Sequence, residues 1–255
     1  MKNFSRILTI TVMLSLVTVA MAADFSGEYI EAEGIVYPAG QSPNVLRRIA
    51  IMDAYRYLAE QVDTIYVTTN STVKNMRDLD EEINAKVETA LRGAKVVAVN
   101  REMDGSFHAI VRLYTYGTPG SLSSAVLGES VTIEDFPPPK FINIHSEINY
   151  TGLIIDCRGK NLSTAIAPTI KSADGTEIYA YKNLGYQAAV SKGMIGYSTN
   201  MDSGVERAGN TPLTVKAVNV SGGCDVVVST EDADKILAAN QSAHFLNNCA
   251  VVLVR

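Results

Sequence analysis

The chain has no tryptophan and only three cysteines among its 255 residues. It has no Cys-x-x-Cys pair, and His108, His145 and His244 show no ligand spacing. A structural zinc site is therefore not expected, nor any other metal or cofactor. Gly193-Met194-Ile195-Gly196 and Gly222-Gly223 lack both the spacing and the following Lys-Ser/Thr of a phosphate loop. No Gly-x-Ser-x-Gly elbow occurs. No basic run is present, which argues against nucleic acid as a partner and against an electrostatic grip on anionic lipid. Beyond the N-terminus no apolar stretch approaches the roughly 20 residues that cross a bilayer.

What is present begins at the N-terminus. Lys2 and Arg6 form a positive head, Ile7–Val19 is apolar, and Ala20-Met21-Ala22 ends the run with small residues. This is the layout of a secretory signal peptide over residues 1–22, cleaved near Ala22. The mature chain is then expected in the periplasm or outside the cell, with no membrane span. No cysteine follows the apolar run, so a lipid-modified N-terminus is not available. Removing Lys2 and Arg6 leaves 20 basic against 27 acidic residues and moves the formal net charge from −5 to −7. Export permits a disulfide. Cys224 and Cys249 lie beside the strand-like runs Val226–Val228 and Ala250–Val254 and are the first pair to consider. The alternative is three small buried hydrophobes.

The patterning predicts an α+β protein of two small modules. In the first, over residues 27–116, Tyr29–Tyr37 reads as a strand. Ser42 and Pro43 start a helix over about 44–62. Val45, Ile49, Met52, Ala59 and Val62 recur on it at helical spacing, and Leu46, Ala50, Ala54 and Leu58 widen that face. Thr64–Thr72 is β-branched and reads as one strand. A second helix starts near Asp78 with Glu81 three places on, and Gly93 is expected to end it as a left-handed cap. Ala94–Met103 and Ser106–Tyr116 read as strands joined by an Asp104-Gly105 hairpin. The order strand-helix-strand-helix-strand-strand places two helices on one sheet face. Residues 117–140, rich in Gly and Ser and ending in Pro137-Pro138-Pro139, read as a linker.

The second module, over residues 141–255, is a strand-rich α+β unit. Tyr150–Asp156 is nearly continuous in apolar residues, as in a strand buried on both faces. Thr169–Lys171 and Glu177–Tyr181 flank the Asp174-Gly175 turn. Leu213–Val220, Val226–Val228 and Ala250–Val254 read as strands. Ser229 and Asp232 cap a helix over about 230–240. Leu184–Gly209, rich in Gly, Ser and Asn, leaves room for a long loop.

Gly34 in the first strand, then Arg48, Ala50, Asp53, Ala54 and Leu58 on the first helix, form a pattern with the β-branched strand and the Asp-Gly hairpin. Over about Tyr29–Tyr116 it resembles the small outer-membrane lipoprotein ("Lpp-twenty") family, whose module is similar to the N-terminal domain of flagellar assembly protein T. The resemblance implies an envelope accessory or assembly protein without enzymatic chemistry. Lipoprotein members carry an acylated cysteine at the mature N-terminus, and this chain has Ala22 and Ala23 instead, so outer-membrane tethering is not carried over.

Candidate chemistry is sparse. Asp53 reads as a site carboxylate or as a structural one, with Arg56 three residues on. Asp156-Cys157-Arg158-Gly159 lies at a strand end, where sites often sit. Cys157 as a nucleophile needs a histidine such as His145 or His244. Arg158 beside Asp156 offers an anion site next to the 184–209 segment. Glu231, Asp232 and Asp234 form an acidic first helical turn that complements the helix dipole. The leading expectation is a non-enzymatic exported envelope protein, acting on another envelope protein or on itself through a sheet edge and the Tyr-bearing strands. A soluble periplasmic ligand binder, with its pocket between the modules, is the alternative. A hydrolase with a site assembled only in the fold is the second alternative.

Overall fold

An edge strand with small residues meets a helix with small residues, and this contact organises the N-terminal half. The computed structural model describes residues 28–129, 132–140 and 148–255. The signal-like segment and His145 lie outside them. Strand β1 (Tyr29–Val36) leads through extended Ser42 and Pro43 into helix α1 (Pro43–Thr64). The short strands β2 (Tyr66–Thr68) and β3 (Ser71–Thr72), helices α2 (Val73–Leu79) and α3 (Glu81–Arg92), and strands β4 (Lys95–Arg101) and β5 (Phe107–Tyr114) follow. β1, β5 and β4 form an antiparallel sheet with β5 in the centre. On β5, Phe107, Ala109, Val111 and Leu113 point inward toward α1, as a period-two strand requires.

The helix α1 buries only one side of the wide apolar face that its periodicity suggests. Leu46, Ala50, Ala54, Leu58 and Val62, each four residues apart, face the sheet. Val45 and Met52 are turned to solvent, with Met52 68 % exposed. Small Ala50 and Ala54 let the backbone come close, and β1 meets them with Gly34. A Cβ on Gly34 would stand 2.1 Å from the Ala50 carbonyl oxygen and 2.4 Å from the Ala54 nitrogen. No side chain fits there.

Other expectations are corrected by the structure. The run Thr64–Thr72 is not one strand of the main sheet. It turns at Thr69-Asn70 into the separate β2–β3 hairpin. The cap of the second long helix is Asp80, whose carboxylate accepts from the Glu82 and Ile83 amides, because α2 already occupies the residues before it. Gly93 does end α3, but in a right-handed conformation at φ −79°, with its amide bonded back into the helix. The Asp104-Gly105 turn forms as expected, with Gly105 at φ +85° and the Asp104 carboxylate accepting from Ser106.

The segment 117–140 carries its own short helix, α4 (Leu122–Val126), whose Leu122, Ala125 and Val126 are buried. It packs between α3 and the later α5. Then come β6 (Gly152–Asp156), β7 (Ile170–Ser172), β8 (Glu177–Tyr179), α5 (Tyr186–Lys192), β9 (Gly196–Ser198), α6 (Val205–Ala208), β10 (Pro212–Ser221), β11 (Asp225–Val228), α7 (Thr230–Ala243) and β12 (Val251–Val254). The segment 184–209 is thus largely ordered into elements. The strands form one mixed seven-stranded sheet in the order β8-β7-β11-β10-β6-β12-β9. β6 lies in it with parallel neighbours on both sides, which explains its unbroken apolar run. The protein is α+β, with the described strands in three sheets.

One hydrophobic core spans the two halves, from Ile30 to Leu253, and a smaller cluster of Ile154, Ala208, Val252 and Val254 lies apart from it in the C-terminal half. The β2–β3 hairpin makes the join. Tyr66 bridges Ala165 in parallel, and the Ile166 and Ala167 amides donate to the Tyr66 and Val67 carbonyls at 2.9 and 2.8 Å. These bonds satisfy main-chain groups of a hairpin that left its own sheet. Among the described residues no helix is long and apolar enough to cross a membrane.

Candidate functional site

A cleft of about 660 Å³ opens where the halves meet. Its N-terminal wall is Glu28 and Tyr116, at the ends of β1 and β5. Its other walls are Lys192 at the end of α5, residues 196–200 of β9 and its following turn, Glu206 and Arg207 of α6, and Asn248–Ala250 ahead of β12.

Arg207 holds this cleft in shape. Its Nε donates to the Cys249 carbonyl at 2.9 Å and its Nη2 to the Lys192 carbonyl at 2.8 Å and to the Gly193 carbonyl. Its Nη1 donates to the Tyr116 hydroxyl at 3.3 Å. One guanidinium therefore ties α6, the end of α5, the start of β12 and the N-terminal half together. The carbonyls at the end of α5 are the negative end of a helix dipole, so the cation is matched there. The surrounding glycines are explained by this pair. A Cβ on Gly196 would come within 2.7 Å of Arg207 Cδ, and one on Gly193 within 2.6 Å of the Tyr116 ring. Gly193 also takes φ +69°. Gly193-Met194-Ile195-Gly196 is thus a close-approach loop around Tyr116 and Arg207. Burial pushes the Tyr116 hydroxyl up, and neighbouring Arg207 opposes that shift.

Sequence reasoning did not single out Arg207 or Tyr116. The only available signal was the pair of glycines three residues apart, which carries no meaning until the partners are known. The residues that were singled out lie elsewhere. Arg158 forks onto Asp156, with Nε and Nη2 each 2.8 Å from a carboxylate oxygen. That fork holds the Asp156 carboxyl at about 2, against the opposing effect of burial. The guanidinium is engaged within its own turn and lies outside the cleft. The cleft does include part of the 184–209 segment, as expected of a pocket between the modules.

Cys157, Cys224 and Cys249 are buried with free thiols. The disulfide considered between Cys224 and Cys249 is ruled out by topology. β10 and β12 both run parallel to β6, and Cys224 follows the far end of β10 whereas Cys249 precedes the start of β12. They stand at opposite ends of the sheet. The same geometry separates Cys157, after β6, from His244, which caps α7 ahead of β12. Burial pushes the Cys157 thiol up to about 12, so it stays protonated and a poor nucleophile. Asp53 lies 3.6 Å from Arg56 on one helix turn, and Arg48 is exposed. Gly34, Ala50, Ala54 and Leu58 are packing residues. The Ser229 hydroxyl accepts from the Asp232 amide and caps α7, while the Asp234 carboxylate accepts from the Lys140 amide.

Residues 152–255 match the family model for the second domain of Treponema pallidum Tp0624. The match begins at the first residue of β6 and takes in the whole seven-stranded sheet, less than half of the chain. It covers the C-terminal walls of the cleft but not Glu28 or Tyr116. No curated protein matches the chain.

Proposed function

We propose that this chain is a non-enzymatic exported accessory or assembly protein of the bacterial envelope, acting through protein–protein contacts, and that the outer face of the β1-β5-β4 sheet is its contact surface. One observation carries the reading. α1 covers the inner face of that sheet, and the outer face presents a prearranged row of aromatic and charged side chains. The Tyr29 and Tyr114 rings meet edge-on at 6.4 Å. The Arg112 guanidinium lies 4.0 Å from the Tyr29 ring centre and 2.6 Å from Glu31. Tyr and Arg dominate binding energy at interfaces, and side chains already held in place lose less freedom on docking. The signal-like N-terminus and the resemblance to the envelope lipoprotein module support the compartment and the role.

The test is affinity capture of a tagged chain from gently solubilised envelopes, beside Tyr114→Ala and Arg112→Ala. The wild-type chain retains a discrete partner or a second copy, and both variants recover it at least tenfold less while keeping the wild-type melting temperature within about 2 °C. Equal recovery by all three chains refutes the assignment of the surface.

A further inference from the structure

Behind Tyr116, at the join of the two halves, lies a second and much smaller void of about 10 Å³. The N-terminal half and the segment after it contribute Thr115, Tyr116 and Ser123 to its wall. The C-terminal half contributes Ala165, residues 193–195 and Tyr197. No charged side chain lines it.

Two hydroxyls meet this void. Thr115 is only 4 % exposed, and its Oγ1 is buried with no hydrogen-bond partner among the described residues. Ser123, on α4, is buried too, and its hydroxyl makes no hydrogen bond among the described residues. A buried hydroxyl without a partner bears the full cost of leaving water, so native proteins satisfy nearly all of them, with ordered water where protein groups do not reach. The walls are pinned and cannot move in to supply the partner. The Thr115 amide donates to the Glu28 carbonyl at 2.8 Å, and the Ser123 amide to the Thr115 carbonyl at 2.8 Å. The Tyr197 hydroxyl accepts from the Ala165 amide at 2.9 Å and donates to the Ala165 carbonyl at 3.1 Å. Arg207 holds Tyr116, and Gly193 already packs against the Tyr116 ring.

A void of about 10 Å³ has roughly the space of one water and excludes any organic ligand. The uncharged lining gives an ion no counter-charge. We propose that one internal water occupies this void, hydrogen-bonded to Thr115 Oγ1 and Ser123 Oγ, and is a fixed part of the joint between the halves.

The test is a high-resolution crystal structure of the wild-type chain, with thermal melts of the wild type and Thr115→Val. The expected density shows one water about 2.7–3.2 Å from both hydroxyls. Thr115→Val keeps the shape of the side chain and removes only its bonding group. With a water in place the change breaks a bond to it, and the melting temperature falls by roughly 2–4 °C. In a dry void the valine relieves an orphaned hydroxyl, and the melting temperature holds or rises. Density that shows the void dry overturns the proposal, and so does a Thr115→Val melt at or above the wild type. The wild-type density decides the matter even where the variant does not fold. Recovery of a partner enters neither readout, so the sheet-face surface keeps its own separate test.

Discussion

Replacing Gly34 by alanine is the sharpest probe of how the N-terminal half is built. The added Cβ would lie 2.1 Å from the Ala50 carbonyl oxygen and 2.4 Å from the Ala54 nitrogen. Both atoms are main chain in the middle of a 22-residue helix, so no side-chain rotation relieves the clash. Ordinary contact requires α1 to retreat by about 1 Å or more, which loosens Leu46, Leu58 and Val62 against the sheet. Overpacking of this kind costs about 1–3 kcal/mol, and the rigid neighbours place this site at the upper end. In a chain of this size about 3 kcal/mol lowers the melting temperature by roughly 6–12 °C. Ala50→Gly does not rescue the variant, because the obstructing atom is a carbonyl oxygen. Gly128→Ala is the control, since nothing stands within 4 Å of its added Cβ. Thermal melts followed by circular dichroism check both. A Gly34→Ala melt within 2 °C of the wild type, or rescue by Ala50→Gly, refutes the reasoning.

Arg207→Lys cannot span the Cys249, Lys192 and Tyr116 acceptors at once and leaves carbonyls unpaired. It should cost about 2–3 kcal/mol in chemical denaturation. The lowered Asp156 carboxyl adds stability that is complete above its unfolded value near 3.8 and is lost as pH falls through about 2. Because Arg158 is solvent-facing, Asp156→Asn should remove only about 1 kcal/mol at pH 7, and its difference from wild type should shrink below about pH 4 and vanish only below about pH 2 in denaturant titrations. Burial raises the Cys157 and Cys224 thiols to about 12 and about 11, and raises Cys249 as well. Native protein should therefore resist Ellman's reagent at pH 8 over hours and expose three thiols at once in guanidinium.

Much of the fold was legible because its signals are local. Pro43, Asp104-Gly105, Asp174-Gly175 and the Ser229 cap each act within a few residues and appear where expected, whereas the Ser42 side chain makes no capping hydrogen bond. The apolar run Tyr150–Asp156 marks a central strand because burial on both faces leaves no polar position. What failed depends on distant partners. The wide apolar face read on α1 was right for Leu46, Ala50, Ala54, Leu58 and Val62 but wrong for Val45 and Met52, because the sheet takes the row that admits the Gly34 backbone and leaves the rest of the face to solvent. Thr64–Thr72 has the composition of one strand, yet it breaks into a hairpin that pairs with Ala165 and Ile166. The cleft was least legible of all. Tyr116, Gly193, Gly196 and Arg207 are spread over some 90 residues, and their relation exists only once the halves close. Asp156 and Arg158 are near neighbours that look like a site, and the fold uses them to satisfy each other.

The most direct test of the proposed assembly role is the native mass of a tagged chain in a gently solubilised envelope extract, by size exclusion with light scattering. The account predicts a mass well above one chain that falls to the single-chain value in Tyr114→Ala. A wild-type chain that elutes as a clean monomer contradicts it.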